Sequence, residues 1–180
     1  MIDQNLRAQT AKDLAAASLV RGDFVLRSGR RSSFYFDKYA FETDPLLLRR
    51  VARLLAELVP PQTDRLAGPE LGAVALATAV SLETGLPFVI VRKVGKDHGA
   101  SADRLVEGRL NAGERVTLIE DVLTTGGEAL RAADVLAKLG ATIEAVIAVV
   151  DRGEGALANL AAAGFDARSV FGPADLGLTA

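Results

Sequence analysis

The sequence predicts an α/β protein in which a parallel central sheet is flanked by helices and a small N-terminal part precedes them. The first observation is that, from Arg65 onward, short apolar runs alternate with Ala- and Leu-rich stretches. The second is that these runs are almost continuously apolar, as expected of parallel strands covered on both faces. The third is size, because 180 residues of which 49% are hydrophobic suit one domain with a sizeable core.

The N-terminal part begins with a segment, 3–20, whose composition is typical of a helix. The short runs "FVL" and "FYF" follow, and the turn-like "RSGRRSS" between them predicts a β-hairpin. Asp44 and Pro45 then predict a helix start, since a capping carboxylate followed by proline suits a first helical turn. This helix ends at Pro60, and its apolar face comprises Leu47, Val51, Leu54, Leu55 and Leu58.

Strands and helices alternate through the rest of the chain. The apolar runs predict strands at 65–68, 87–93, 115–121, 143–151 and 165–171. The stretches between them predict helices at 72–84, 127–139 and 154–163, with Gly140 closing the second. The polar segment 93–108 has several glycines and no clear period. Because a loop of this length in a compact domain is more often functional than incidental, we expect it to serve a site.

Composition excludes several classes of function. The net charge is -2 and no strongly basic block is present, which argues against nucleic acid as the main partner. The chain has no cysteine, so neither a disulfide nor a Cys-based zinc site is possible. The polar N-terminus does not have the pattern of a signal peptide, and prolines and glutamates interrupt the most apolar region, 66–91. We therefore expect a soluble, cytoplasmic protein without a membrane partner.

The stretch "RVTLIEDVLTTGGEAL" carries the strongest chemical signal in the sequence. An apolar run ends in Glu120 and Asp121, and a turn containing Thr124, Thr125 and two glycines leads into a helix. Ligands of parallel α/β sheets bind beyond the carboxyl ends of strands, and the unpaired amides of a helix start bind phosphate. Carboxylates suit vicinal sugar hydroxyls or a Mg²⁺ shell. The pattern predicts a ribose 5-phosphate site; the alternative is that the acids solvate the strand end and the threonines cap the helix.

A second candidate site lies in "VRKVGKDHGA", where four basic or titratable side chains fall close together. They are Arg92, Lys93, Lys96 and His98. Cations clustered at a strand end and on a Gly-containing loop suit a polyanion such as diphosphate. The alternative is a solvated basic loop with an incidental histidine.

Taken in order, these segments resemble a known family. "TLIEDVLTTGG" resembles the phosphoribosyl pyrophosphate (PRPP) motif of the type I phosphoribosyltransferases, and the order Arg-Lys-x-x-Lys-Asp-His-Gly is similar to the mobile catalytic loop of the orotate phosphoribosyltransferases. "LRSGRRSSFYFD" resembles the N-terminal hood of those enzymes, and "VVDRGEG" resembles the segment whose arginine binds the orotate carboxylate. The resemblance covers about 19–155 in one consistent order.

The resemblance implies a set of site residues. The implied catalytic residues are Lys96, first, with Lys93, His98 and Asp121. The implied PRPP-binding residues are Arg92, Lys93, Lys96, His98, Glu120, Asp121, Val122, Leu123, Thr124, Thr125, Gly126, Gly127 and Glu128. The implied orotate-binding residues are Arg27, Tyr35, Phe36, Thr124 and Arg152. For the two aromatics the alternative is hairpin packing, and for Arg152 a surface position at a strand end.

The resemblance also implies the reaction and the assembly. Orotate and PRPP would give orotidine 5′-monophosphate and diphosphate, in the synthesis of UMP. Mg²⁺ would be held mainly through PRPP, with no protein ligand assigned. The chain would be one domain over 1–180, with a hood over about 1–40 and a core over about 41–170. Two copies would form a homodimer in which the loop of one chain closes the active site of its partner.

Departures from the family pattern leave rival functions open. Arg27 is often lysine in the family, and Glu120 is commonly aspartate. "GPELGA" resembles the diphosphate-facing loop, but it lacks the lysine that some members carry there. The rivals are transfer to a purine or uracil, nucleotide sensing by an RNA-binding regulator on the same fold, and a catalytically silent paralogue. Arg152, together with the Arg-Lys-x-x-Lys-x-His loop, favours orotate, because a base without a carboxylate has no use for a guanidinium at 152.

Overall fold

The computed structural model describes residues 3–25, 31–93 and 105–178. Its six helices in these ranges are α1 Gln4–Ser18, α2 Lys38–Glu42, α3 Pro45–Ala56, α4 Gly72–Thr84, α5 Gly127–Lys138 and α6 Ala156–Ala162. The eight strands in the same ranges are β1 Leu19–Val25, β2 Arg31–Phe36, β3 Arg65–Pro69, β4 Phe88–Val91, β5 Val106–Glu107, β6 Arg115–Leu123, β7 Thr142–Asp151 and β8 Ala167–Phe171. A 3-10 helix, Pro173–Leu176, follows β8.

The central sheet has the strand order β5-β4-β3-β6-β7-β8, and all its neighbouring pairs are parallel except β4 with β5. This confirms the predicted α/β fold with a parallel central sheet. In the pairing of β6 with β7, Leu123 lies opposite Asp151. The chain leaving β7 therefore starts beside the end of β6, and the Arg152 amide donates to the Leu123 carbonyl at 3.0 Å.

Helices cover both faces of the sheet, and neighbouring residues of β6 serve the two cores. Ile119 packs with residues of α1, α3 and α4, whereas Leu118 packs with residues of α5 and α6. Both side chains are fully buried, as the alternation of a strand between two layers requires. Truncating either to alanine is expected to cost about 2–5 kcal/mol. Within the described ranges, no helix is long and apolar enough to cross a membrane.

The predicted hairpin is confirmed by β1 and β2, which pair antiparallel. The predicted first helix was too long at its end, because Leu19 already pairs with Phe36 in the hairpin. The start of α3 is as predicted: the Asp44 carboxylate accepts from the amides of Leu46 and Leu47 at 2.8 and 2.9 Å, and Pro45 opens the helix.

Some elements differ from the sequence-based expectation. The short helix α2, which the Asp37 side chain caps, was not predicted, and neither was β5, which lies inside the polar segment 93–108. The last helix begins at Ala156 rather than Glu154, since Gly153 and Gly155 both have positive φ and interrupt helical geometry. The last strand begins at Ala167 rather than Phe165.

Candidate active site

Glu120 and Asp121 lie near the carboxyl end of β6, between β3 and β7. The strand continues to Leu123, two residues beyond its predicted end. Both carboxylates are buried, with exposed fractions of 7% and 6%. Because side chains alternate along a strand, Glu120 lies on the α5 side of the sheet and Asp121 on the side of α2 and α4. The pair therefore flanks the strand end from two sides.

Asp121 is held by contacts that the sequence did not suggest. Its Oδ2 accepts from the Lys38 ammonium, and its Oδ1 accepts from the Val122 amide at 2.5 Å. Burial lowers the pKa of Lys38, but the charge and hydrogen bond of Asp121 outweigh burial, so the pKa stands above its usual value. Lys38 therefore stays an ammonium at neutral pH.

The start of α4 lies in close contact with the Asp121 carboxylate. A Cβ at Gly72 would overlap Asp121 Oδ2 and come within 2.5 Å of Lys38 Nζ. Only glycine leaves room for the ion pair at this point, although the backbone of Gly72 is not in the left-handed region.

Two neighbouring glutamates have strongly perturbed pKa values. Burial, aided by the negative charge of Asp121, raises the pKa of Glu120 to about 8. The same two causes raise the pKa of Glu42, at the end of α2, to about 8. For each, Oε1 is buried and has no hydrogen-bond partner in the part of the chain that the structure describes. Perturbed, unpaired carboxylates in a cleft are typical of ligand sites, because a polar ligand can supply the missing partners.

The turn after β6 forms a cavity of about 240 Å³ lined by Glu120 and by Val122 to Ala129. Gly126, in the left-handed conformation with φ of 84°, precedes α5, and no side chain among the described residues caps this helix. The alternative in which the threonines cap the helix is therefore wrong. Uncapped amides at the helix start are free to bind an anion, as the prediction of a phosphate site requires.

The turn after β6 is held in place by contacts with α6. Asn159 Nδ2 donates to the Thr125 carbonyl at 2.9 Å. A Cβ at Gly126 would lie 3.3 Å from the Leu160 side chain, so α6 also packs closely against the turn. These contacts fix the backbone whose amides would face a phosphate.

A larger cavity of about 390 Å³ joins the hairpin to the strand ends. Its lining includes Tyr35, Phe36, Asp121, Thr124 and Arg152 among others, which brings together four of the five predicted orotate-binding residues. Arg27 lies outside the described residues. Phe36 is only 7% exposed and its ring centroid is 6.3 Å from that of Phe41, so it also packs in the core.

Arg152 is held in place at the edge of this cavity. Its guanidinium lies over the Phe34 ring, 5.6 Å from the centroid, and its Nε is 3.2 Å from Glu154 Oε1. The side chain is only 17% exposed, so it is not the surface arginine of the alternative interpretation. The Phe34 contact was not predicted, although the aromatic run "FYF" was an available signal.

The basic cluster is described only in part. Arg92 lies 3.6 Å from Glu107, while Lys93 lines the larger cavity and is 3.9 Å from Glu128. The Lys93 amide also donates to Glu70 at 2.7 Å, which ties the end of β4 to the segment after β3. Lys96 and His98 lie outside the described residues.

Sequence reasoning missed the contribution of α2 and the start of α4 to this site. Lys38, Glu42 and Gly72 all surround Asp121. Lys38 and Glu42 lie outside every segment singled out for its chemistry, and Gly72 lies in "GPELGA", where it was given no role of its own. A lysine directly after the aromatic run and Asp37 was the available signal for the first.

The mostly parallel sheet, the uncapped turn after β6 and the acidic pair beside it are the features expected of a phosphoribosyltransferase. The sequence profile of the phosphoribosyl transferase domain matches residues 39–166. An orotate phosphoribosyltransferase of Nocardioides sp. is 46% identical over 171 residues, which cover 95% of this chain and 94% of that protein. One from Pyrococcus furiosus is 49% identical over 147 residues, 80% of each chain. The chain belongs to the orotate phosphoribosyltransferase family.

Solved structures agree with this assignment. Mycobacterium tuberculosis H37Rv orotate phosphoribosyltransferase in complex with Fe(III) dicitrate superposes with a TM-score of 0.85 at 36% identity, covering 96% of this chain and 99% of that one. Its complex with PRPP superposes with a TM-score of 0.81 at 34% identity and the same coverage. An adenine phosphoribosyltransferase of Thermoanaerobacter pseudethanolicus, at 20% identity and a TM-score of 0.72, shares the fold.

Proposed function

We propose that Arg152 selects the acceptor in this site and that the turn after β6 holds the donor. The enzyme transfers the phosphoribosyl group of PRPP to orotate, giving orotidine 5′-monophosphate and diphosphate in pyrimidine synthesis. The observation that carries the selection is a largely buried guanidinium at a cavity bordered by Asp121 and Thr124. A guanidinium binds a carboxylate with two parallel hydrogen bonds, and orotate is a pyrimidine with a carboxylate.

The donor would lie across the end of β6. Its 5-phosphate would accept from the amides and hydroxyls of Thr124 to Gly127, where the helix start is uncapped. Its ribose hydroxyls would donate to Glu120 and Asp121. The unpaired Oε1 of Glu120 supports this, since a hydroxyl would supply the partner that this buried oxygen lacks among the described residues.

In the transfer step, N1 of orotate forms a bond to C1′ of the ribose as the bond from C1′ to the diphosphate oxygen breaks. Orotate reacts as the N1 anion, whose proton has left to solvent before the loop closes, and the electron pair of the broken bond leaves with diphosphate. The sugar becomes cationic along this path, as in glycoside cleavage, so the main task is to stabilise charge on the leaving group. Lys93, Arg92, Lys96 and His98 are the proposed residues for it, with Lys96 first.

Mg²⁺ fits this site as an ion that PRPP carries. Across 3–25, 31–93 and 105–178, no group of three or more His, Cys, Asp or Glu side chains could hold a metal. In this proposal the ion arrives with PRPP, because Mg²⁺ commonly keeps its waters and binds substrate phosphates with few protein ligands. When bound, it neutralises negative charge on the diphosphate.

We also propose a cytoplasmic homodimer with shared active sites. The resemblance of "RKVGKDHG" to a loop that reaches over the partner's site supports this assembly. Lys93 lines a cavity of its own chain, so the residues supplied across the interface would be Lys96 and His98. Loop closure would exclude water, which otherwise hydrolyses PRPP.

The direct test is an absorbance assay of orotate consumption with PRPP and Mg²⁺. We expect one diphosphate and one orotidine 5′-monophosphate per orotate consumed. Uracil and adenine, offered at the same concentration, serve as acceptors that lack the carboxylate. Faster transfer to either base would favour the rival acceptor, and no consumption of any base would favour a silent paralogue. An RNA gel shift that weakens with salt would favour the RNA-binding regulator.

A further inference from the structure

A third cavity, of about 140 Å³, lies between the acidic pair and the start of α4. The titratable side chains in its lining are four carboxyl groups, among them Glu120 with its raised pKa, and two ammonium groups; they belong to Glu70, Glu120, Asp121, Glu128, Lys38 and Lys93. A diphosphate is itself strongly anionic. Its binding beside this many carboxylates requires every cation within reach.

The diphosphate of PRPP falls in this cavity if the donor lies as proposed above, on which this inference rests. The cavity shares Glu120, Val122 and Glu128 with the phosphate turn, so the two spaces meet at the acidic pair. With the 5-phosphate in the turn and the hydroxyls on the carboxylates, C1′ points away from the turn. The group on C1′ then faces the segment from Pro69 to Gly72.

This segment reads Pro-Glu-Leu-Gly and contributes no cation of its own. Lys38 approaches it from α2 instead. Its ammonium contacts Asp121 and lies within 2.5 Å of where a Cβ of Gly72 would be. The absence of a side chain at Gly72 thus opens the space that the Lys38 ammonium occupies.

We propose that Lys38 is a PRPP-binding residue that bridges Asp121 and the diphosphate group. An ammonium has three N–H donors, so one can hold the carboxylate while the others donate to diphosphate oxygens. Lys38 also borders the larger cavity with Arg152, which puts its charge at the junction of the donor and acceptor spaces. Asp121 keeps the ammonium charged and fixes its position before PRPP arrives.

The test is a double-mutant cycle on the full-length protein, with direct binding as the measurement. Lys38→Met, Lys38→Arg, Asp121→Asn and the double variant Lys38→Met/Asp121→Asn are titrated calorimetrically with diphosphate and, separately, with ribose 5-phosphate, both in Mg²⁺. Lys138→Met is the matched control, because Lys138 is an exposed lysine that pairs with Asp134 on α5.

We expect Lys38→Met to weaken the binding of diphosphate about 10- to 100-fold and the binding of ribose 5-phosphate much less. Lys38→Arg should retain most of the affinity for diphosphate. The loss on diphosphate should persist when Lys38→Met is made in the Asp121→Asn background. Unchanged diphosphate affinity would overturn the proposal. So would a loss that disappears in that background, since Lys38 would then act only through Asp121.

Two features keep the outcome interpretable. The double variant leaves no unpaired buried charge, so it remains a test if Lys38→Met alone fails to fold. Orotate consumption by the wild-type protein is measured on the same preparation. Wild-type protein that binds diphosphate but consumes no orotate would overturn the proposed function. Normal orotate consumption by the wild type, together with equal diphosphate affinities with and without Lys38→Met, would overturn only the role of Lys38.

Discussion

Replacing Arg152 by alanine should weaken the binding of orotate far more than the binding of PRPP. In the structure its guanidinium lies over Phe34 and borders the cavity that Thr124 and Asp121 also line. The proposed 5-phosphate contacts lie in the turn toward α5, in a separate cavity whose lining does not include Arg152. Loss of the guanidinium therefore removes the partner of the orotate carboxylate and leaves the donor contacts in place.

The expected magnitude follows from burial and from one competitor. A charge-assisted hydrogen bond contributes about 1.5–3 kcal/mol, and with the side chain only 17% exposed, solvent screens it little. Glu154, 3.2 Å from Nε, competes with orotate for the same guanidinium and reduces the net gain. We therefore expect about 2 kcal/mol, which corresponds to roughly a 30-fold rise in the KM for orotate.

Steady-state kinetics with each substrate varied in turn measure this effect. Arg152→Lys keeps the charge but loses the planar fork, so its KM for orotate should fall between wild type and Arg152→Ala. Glu154→Gln is the matched control, because it removes the competitor and should leave the KM for orotate equal or lower. Equal changes in both KM values would refute the assignment of Arg152 to the carboxylate.

Three further predictions concern the acidic cluster and the assembly. Asp121→Asn should weaken PRPP and cost only about 1 kcal/mol of stability, because Lys38 is partly solvated; a much larger fall in Tm would mark Asp121 as structural. Lys96→Ala and Asp121→Asn homodimers should each be nearly inactive. When the two variants are refolded together in equal amounts, random pairing makes half of the dimers heterodimers, and each heterodimer has one intact site. The mixture should therefore regain about a quarter of wild-type activity. Activity at the parents' level despite proven heterodimers would place the loop in its own chain's site. Glu42→Gln should raise Tm at pH 8.5 more than at pH 5. The pKa of Glu42 is raised from 4.5 to about 8 in the folded state, so between these values the native protein holds a proton that the unfolded chain has lost. The wild-type protein therefore loses stability as pH rises through this window, by at most about 1.36 kcal/mol per pH unit, and the glutamine variant does not. Parallel Tm-versus-pH curves for variant and wild type would contradict it.

The parts of the site that the sequence predicted are those coded by local pattern. The apolar run into Glu120, the small-residue turn and the following helix are contiguous, so their chemistry can be read in order along the chain. Arg152 was assigned through the resemblance alone, and in the structure it comes near Thr124 because β6 and β7 are parallel neighbours that end at the same edge of the sheet.

The parts that it did not predict depend on packing between distant segments. Lys38 reaches Asp121 across 83 positions of sequence, and no period or turn signal encodes that contact. The strand β5 exists because its two residues pair with β4, although they sit in a polar segment with no strand pattern of their own. Glu42 is buried by the elements around α2, and its side chain alone would have suggested an exposed position.

Because Gly72 and Asp121 are in contact, the side chain tolerated at one of these positions depends on the side chain at the other. A methyl group at 72 fits only where 121 carries a shorter or differently turned side chain, and such a change removes the anchor of Lys38. Surveys of single substitutions are therefore expected to find both positions intolerant for one shared reason. Variants that escape this limit must change in pairs, so a redesign of the donor site has to treat the two residues together.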